Sequence, residues 1–312
     1  MLSRTADHLF WTARYLERAD FLARILASAL RLSSMPAYYR GDNLWDSVVA
    51  SAGPVQLFYQ KHSRATERTV REFLAFDLEN PSSIRSCLAT ARGNGRAVRT
   101  ALTVEMWSRR NDAWNQRQRE GWTSSSRDGL AQFLEWVEDV TLAFDGSARR
   151  TMLRNDAYWF LRLGGAIERA DNTARILDVK YHLLLPDREQ VGGGLDYFQW
   201  TTILREVSAL TAYHWVYRDS VKPWLVADLL ILNPQMPRSL ASCYDVIVRH
   251  VELLAEAYGK RGPSQRKAHA VQARLNDLNI DDIIQSGLHE FITGFLADNA
   301  EAASAVAEQY LI

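Results

Sequence analysis

Residues 15–26 read YLERADFLARIL and residues 166–177 read AIERADNTARIL, with eight of twelve positions identical. Later landmarks recur in the same order. Trp45 in LWDSVVASAG is answered by Trp200 in QWTTILREVSA, FLAFDL (73–78) by WLVADL (224–229), and NPSSIRS (80–86) by NPQMPRS (233–239), at offsets of 151–155 residues. Several matches in one order point to a tandem duplication of a unit of about 150 residues. The seam falls near FDGSARR (144–150), giving repeats 1–146 and 147–312. A helix of this kind cannot hide its apolar side alone, so the copies are expected to pack as one bundle about an approximate twofold axis. The helices of residues 3–31 and 153–184 should lie near its centre.

The unit is read as all-α. Gly and Pro number 16 and 8 in 312 residues, β-branched alternation is rare, and apolar residues recur at spacings of three and four. Breaks are expected at 33–43, 79–83, 119–129, 144–147, 185–194, 233–237 and 260–265. Asn80-Pro81 and Asn233-Pro234 place a capping side chain before a proline, which suits a helix start. Lys and Arg together number 37, as do Asp and Glu, so no global field draws the chain to nucleic acid or an anionic membrane. The most apolar window, WLVADLLIL (224–232), is far shorter than the ~18–20 residues of a membrane span. Cys87 and Cys243 form no disulfide framework or metal spacing. A soluble, cytoplasmic protein is expected.

On a helical wheel, Arg14, Glu17, Asp20, Phe21 and Arg24 share one side, with Arg18 at its edge, and Leu16, Ala19, Leu22, Ala23 and Leu26 share the other. Asp20 and Arg24 stand at i and i+4 with the acid first, the favourable order, and Asp171 and Arg175 repeat the pair beside Glu168 and Arg169. A solvated face would give little reason to keep four charges in register in both copies. A polar interior gives a better one, because losing one partner of a desolvated pair strands the other at roughly 3–5 kcal/mol. A binding or catalytic site remains the alternative.

Arg85, Arg92, Arg96 and Arg99 would form a basic rail on a continuous helix, suited to carboxylates or phosphates. The corresponding residues of the second half read as Arg238, Asp245, Arg249 and Glu252. Gly93-Asn94-Gly95 can break the rail, and an irregular turn there could offer backbone N–H groups to an anion. Metal and nucleophile signatures are missing: there is no Glu-x-x-His pair, no His-Glu-x-x-His and no P-loop after Gly192-Gly193-Gly194, which reads as a connector. Cys87 has no nearby base in sequence. Trp11, Trp45, Trp107, Trp159, Trp200, Trp215 and Trp224 read first as core fillers and second as a contact surface. The aromatic and basic stretch 104–122 suits a partner-binding helix at least as well as a nucleic-acid strip.

MLSRTADHLFWTARYLERAD, IERADNTARILDVKYHLL, ARGNGRAVRTALTVEMW and VGGGLDYFQWTTILREVSA resemble the bacterial alpha-E domain family, an all-helical group named for its Glu-Arg motif. His8 and Thr12 stand where that family's opening block carries Asn and Gly. Its members occur beside or fused to circularly permuted ATP-grasp and transglutaminase-like proteins. The resemblance therefore implies an ATP-grasp-type partner and chemistry on peptide-like amide bonds, while the residues themselves give no reason to expect a cofactor or metal. Three roles follow for the chain: an accessory subunit that helps such a ligase hold an anionic peptide-like ligand, an enzyme using Glu17 or Glu168 as general acid/base, or a structural domain.

Overall fold

The computed structural model describes residues 1–34, 44–108, 111, 114–115, 126–183 and 194–311. Fourteen α-helices of these residues are used below: α1 (Ser3–Ser33), α2 (Leu44–Ala52), α3 (Val55–Lys61), α4 (Glu67–Arg71), α5 (Ile84–Ala97), α6 (Arg127–Thr151), α7 (Asp156–Leu183), α8 (Gly194–Glu206), α9 (Leu210–Tyr217), α10 (Pro223–Ile231), α11 (Leu240–Tyr258), α12 (Pro263–Asp277), α13 (Ile280–Ser286) and α14 (Leu288–Val306). The described residues contain no strand. No helix among them is long and apolar enough to cross a membrane. Several expected breaks, Gly192-Gly193 and part of the 104–122 stretch lie outside the described residues.

The long helices α1 and α7 form the axis of the bundle. They run side by side in the same direction, since their contacts advance together along both, from Met1–Asp156 through Phe10–Gly164 and Ala13–Gly165 to Glu17–Arg169. Around them, α5 and α6 pack on α1, while α11 and α14 pack on α7; α2 also lies against α7, and α8 against α1. Phe10, Phe73, Phe133, Phe160, Tyr244 and Phe295 are fully buried in the resulting core.

Helix α1 is not amphipathic in the sense expected. Leu16, Ala19, Leu22, Ala23 and Leu26 are buried, and so are Glu17, Asp20 and Phe21 on the charged side. A central helix has neighbours on every face, so its polar residues must find partners inside the protein.

Other local expectations are corrected. FDGS does not end a helix, because α6 runs unbroken through Gly146 to Thr151 and the chain turns at 152–155. Asp145 holds Arg149 one turn on, at 2.8 Å, and Arg162 of α7, at 2.6 Å. Neither Asn-Pro pair caps a helix. Asn80 accepts from the Ser82 N–H and donates to the Phe73 carbonyl, Asn233 accepts from the Gln235 N–H, and the caps are Ser83 and Ser239. Gly93-Asn94-Gly95 lies inside α5.

Gly164 sets the spacing of the axis, since a Cβ there would lie 2.2 Å from the Phe10 carbonyl oxygen of α1. That oxygen is backbone and cannot rotate away. Gly164→Ala should therefore destabilise by about 1–3 kcal/mol or more, read as a lower thermal midpoint. Gly93, inside α5 with nothing within 4 Å of its Cβ position, is the control, and Gly93→Ala should stabilise by up to ~1 kcal/mol.

Candidate functional site

The charges of the repeated phrases meet across the α1–α7 seam. Glu17 of α1 takes a forked pair of hydrogen bonds from Arg169 of α7, at 2.9 and 2.6 Å. Glu168 of α7 takes Nε of Arg18 at 2.6 Å and Nε of Arg14 at 2.8 Å, both from α1. Each glutamate is thus held by the arginines of the other helix. Its own neighbour in the Glu-Arg dipeptide reaches across in turn.

Arg238, from the loop before α11, extends the α1 side. It donates to Glu17 and to Asp20, both at 2.8 Å. Asp20 also takes Arg24 at 2.9 Å and the Thr141 hydroxyl at 3.1 Å. Arg24 further meets Glu138 at 3.2 Å. Three guanidiniums therefore face three carboxylates, leaving a crevice of only about 50 Å³ beside Glu17.

The α7 side is built with less. Arg14, Arg18 and Arg175 face Glu168 and Asp171, and Asp171–Arg175 is partly exposed, at 21% and 38% for the two side chains. Ser82 immediately precedes the capping Ser83, and Arg238 immediately precedes the capping Ser239. The thiols of Cys87 and Cys243 likewise donate to the carbonyls of Pro81 and Pro237. These landmarks make Ser82, which Arg18 reaches at 3.3 Å, the positional counterpart of Arg238. Arg85 is not that counterpart: the two NP motifs differ by three residues in their distance to the cap.

Burial raises the Glu17 carboxyl, but Arg169 and Arg238 outweigh it and hold it at about 2. Burial acts the same way on Glu168, where Arg14 and Arg18 prevail and lower it. Both acids are anions at neutral pH, far from the range in which a carboxyl exchanges protons efficiently. Burial pushes Cys87 and Cys243 up to about 12, which keeps both thiols protonated. Among the described residues no group of three His, Cys, Asp or Glu stands together as metal ligands.

The arginine rail divides. Arg92 donates to Asn111 at 3.0 Å and lies over Trp114. Arg99 falls beyond the end of α5, in a separate 3-10 turn, over Trp107. Arg96 is exposed and Arg85 is half-buried. His8 accounts for Asn94, at 3.1 Å between Nδ1 and Oδ1, and Thr12 returns its hydroxyl to the His8 carbonyl. Thr141 and Glu138 were missed in sequence, being far from the repeated phrase, and Arg238 was read only as the counterpart of Arg85 and not as a partner of Glu17 and Asp20.

A helical bundle whose two axial helices exchange Glu-Arg pairs is a class defined by its interior. Over residues 1–311 the chain matches the Alpha-E family, described as a predicted alpha-helical domain with a conserved ER motif, and it belongs to that family. Neither the curated proteins nor the solved structures compared with it gave a match.

Glu17→Gln should leave Arg169 and Arg238 short of a counter-charge in a dry seam and cost about 3–5 kcal/mol. Asp171→Asn, on the half-exposed side, should cost under about 1 kcal/mol. The Glu17 carboxyl lies below its ordinary value of 4.5 in the folded chain. Its stabilisation is therefore complete above pH 4.5 and is lost as pH falls toward 2. Urea unfolding of both forms across that window should show the Glu17→Gln penalty shrinking; a penalty constant with pH would refute the assignment.

Proposed function

We propose that the chain is a helical binding and accessory subunit that acts with a circularly permuted ATP-grasp-type ligase in forming or processing peptide-like amide bonds. The observation that carries this reading is the state of the acids. Glu17 and Glu168 are buried, doubly paired and ionised, a scaffold's arrangement and a poor one for proton transfer. Family membership supplies the ligase setting by association. A contact surface is at hand on the consecutive helices α9 and α10, where Trp215 is 76% exposed and Trp224 47%. Exposed tryptophans commonly anchor protein partners.

The bundle is further read as a duplicated unit with approximate twofold symmetry, its repeats being 1–146 and 147–312. Supporting this are the crossed Glu17–Arg169 and Glu168–Arg18 pairs, the exchange by which α2 packs on α7 and α8 on α1, and the matching Ser83 and Ser239 caps. Since α6 spans residue 146, the repeat boundary is one of descent and not of folding. A cytoplasmic setting accompanies the ligase reading.

The purified chain alone should hydrolyse neither ATP nor peptides, yet change the rate of a co-encoded ATP-grasp ligase. Trp215→Ala with Trp224→Ala should weaken that effect about tenfold or more at unchanged thermal midpoint. Full ligase activity without the chain would overturn the proposal. Turnover by the chain alone that disappears in a folded Glu17→Gln variant would instead establish the enzyme reading.

A further inference from the structure

Among the described residues, the two charged lattices are alike in cations and unequal in anions. On the α1 side Arg24, Arg169 and Arg238 meet Glu17, Asp20 and Glu138. On the α7 side Arg14, Arg18 and Arg175 meet Glu168 and Asp171. Because Ser82 stands where the other side has Arg238, the α7 lattice opens into a cleft of about 290 Å³. That size is close to the lower end of ligand pockets, about 300 Å³.

Asn172 lines the same cleft. It is 4% exposed, and its buried amide nitrogen has no hydrogen-bond partner among the described residues. An unpaired buried donor costs roughly 1–3 kcal/mol, so it calls for an acceptor. Among the described residues, Arg18 spends Nε on Glu168 and Nη1 on Ser82, which leaves Nη2, and Arg175 spends Nε and Nη2 on Asp171, which leaves Nη1. Phe21, Leu22 and Pro54 supply an apolar wall.

We infer that this cleft binds a small monocarboxylate with a short apolar body, its carboxylate taking the place that Glu138 fills on the other side. A single negative charge balances the third guanidinium. A dianion would meet Glu168 and Asp171 at close range, and a cation would add to an existing positive excess. The site is independent of the ligase partnership, because it is formed by this chain alone.

Calorimetric titration of the full chain at pH 7 with N-acetyl-L-leucine tests it. Saturable one-to-one binding in the millimolar range or tighter is expected, with N-acetyl-L-leucinamide weaker by about tenfold or more. Arg175→Gln should lose a similar factor. Asn172→Leu should lose binding while its thermal midpoint stays level or rises, since it removes an unpaired buried amide. Arg96→Gln should bind as the parent does. Absence of saturation, equal binding of the amide, equal competition by inorganic phosphate, or unchanged affinity in both cleft variants would overturn the inference. The ligase test can fail while this one succeeds.

Discussion

The exchange of guanidiniums between α1 and α7 is the interaction on which the rest depends. Glu17 and Glu168 are nearly inaccessible, at 9% and 2% for their side chains, so neither can fall back on water if its partners move. Buried ion pairs of this kind contribute little net stability compared with well-packed apolar residues, but breaking one is costly. Their value lies in selecting an arrangement. Sliding α7 by one turn would separate Glu17 from Arg169 and Glu168 from Arg18 together, and would carry Gly164 away from the Phe10 carbonyl. Two parallel helices rich in Ala and Leu have many apolar registers of similar quality; the crossed pairs make one of them distinct.

That constraint propagates outward. With α1 and α7 held close at Gly164, α5 and α11 each pack on one axial helix, and the loops before them deliver Ser82 and Arg238 to the acids. The Thr173 hydroxyl donates to the Arg238 carbonyl, so the loop that carries the guanidinium is anchored to α7 as well. The charged centre and the apolar shell are therefore one packing solution. Cys87 and Cys243, buried beside the two loops, serve that packing as small hydrophobes with a weak S–H donor.

Much of this was legible in the sequence. The all-helical class followed from spacing and scarce Gly and Pro, and the inward turn of Glu17, Asp20 and Glu168 followed from the repetition of charges that a solvated face has no reason to keep. What escaped was decided by tertiary contacts. The wheel divided α1 into two faces because it cannot know that a central helix has neighbours all round. FDGS and Gly93-Asn94-Gly95 looked like breaks, yet a helix interior tolerates glycine at about 1 kcal/mol each when packing holds the rest. Asn80-Pro81 and Asn233-Pro234 looked like caps, but their side chains close turns ahead of the serines that do cap. Arg238 could not be assigned to Glu17, because 221 residues separate the partners.

The same three-residue difference between the two loops explains why one lattice closes and the other does not. In the loop ahead of α11, the residue before the capping serine is an arginine long enough to bridge Glu17 and Asp20. In the loop ahead of α5 it is Ser82, whose hydroxyl reaches only Arg18. Glu168 recovers its second guanidinium from Arg14, one turn back on α1, so the deep acid is satisfied on both sides. Asp171 has no such recourse and keeps Arg175 as its guanidinium partner in a partly open setting. The asymmetry thus spares the pairing of the buried glutamates, which the register requires, and leaves the unfilled space beside the buried Asn172 amide and the partly exposed Asp171–Arg175 pair. Arg18 belongs to both seam and cleft: its Nε holds Glu168 in the seam while the same guanidinium lines the unfilled cleft, so the register and the cleft share one side chain.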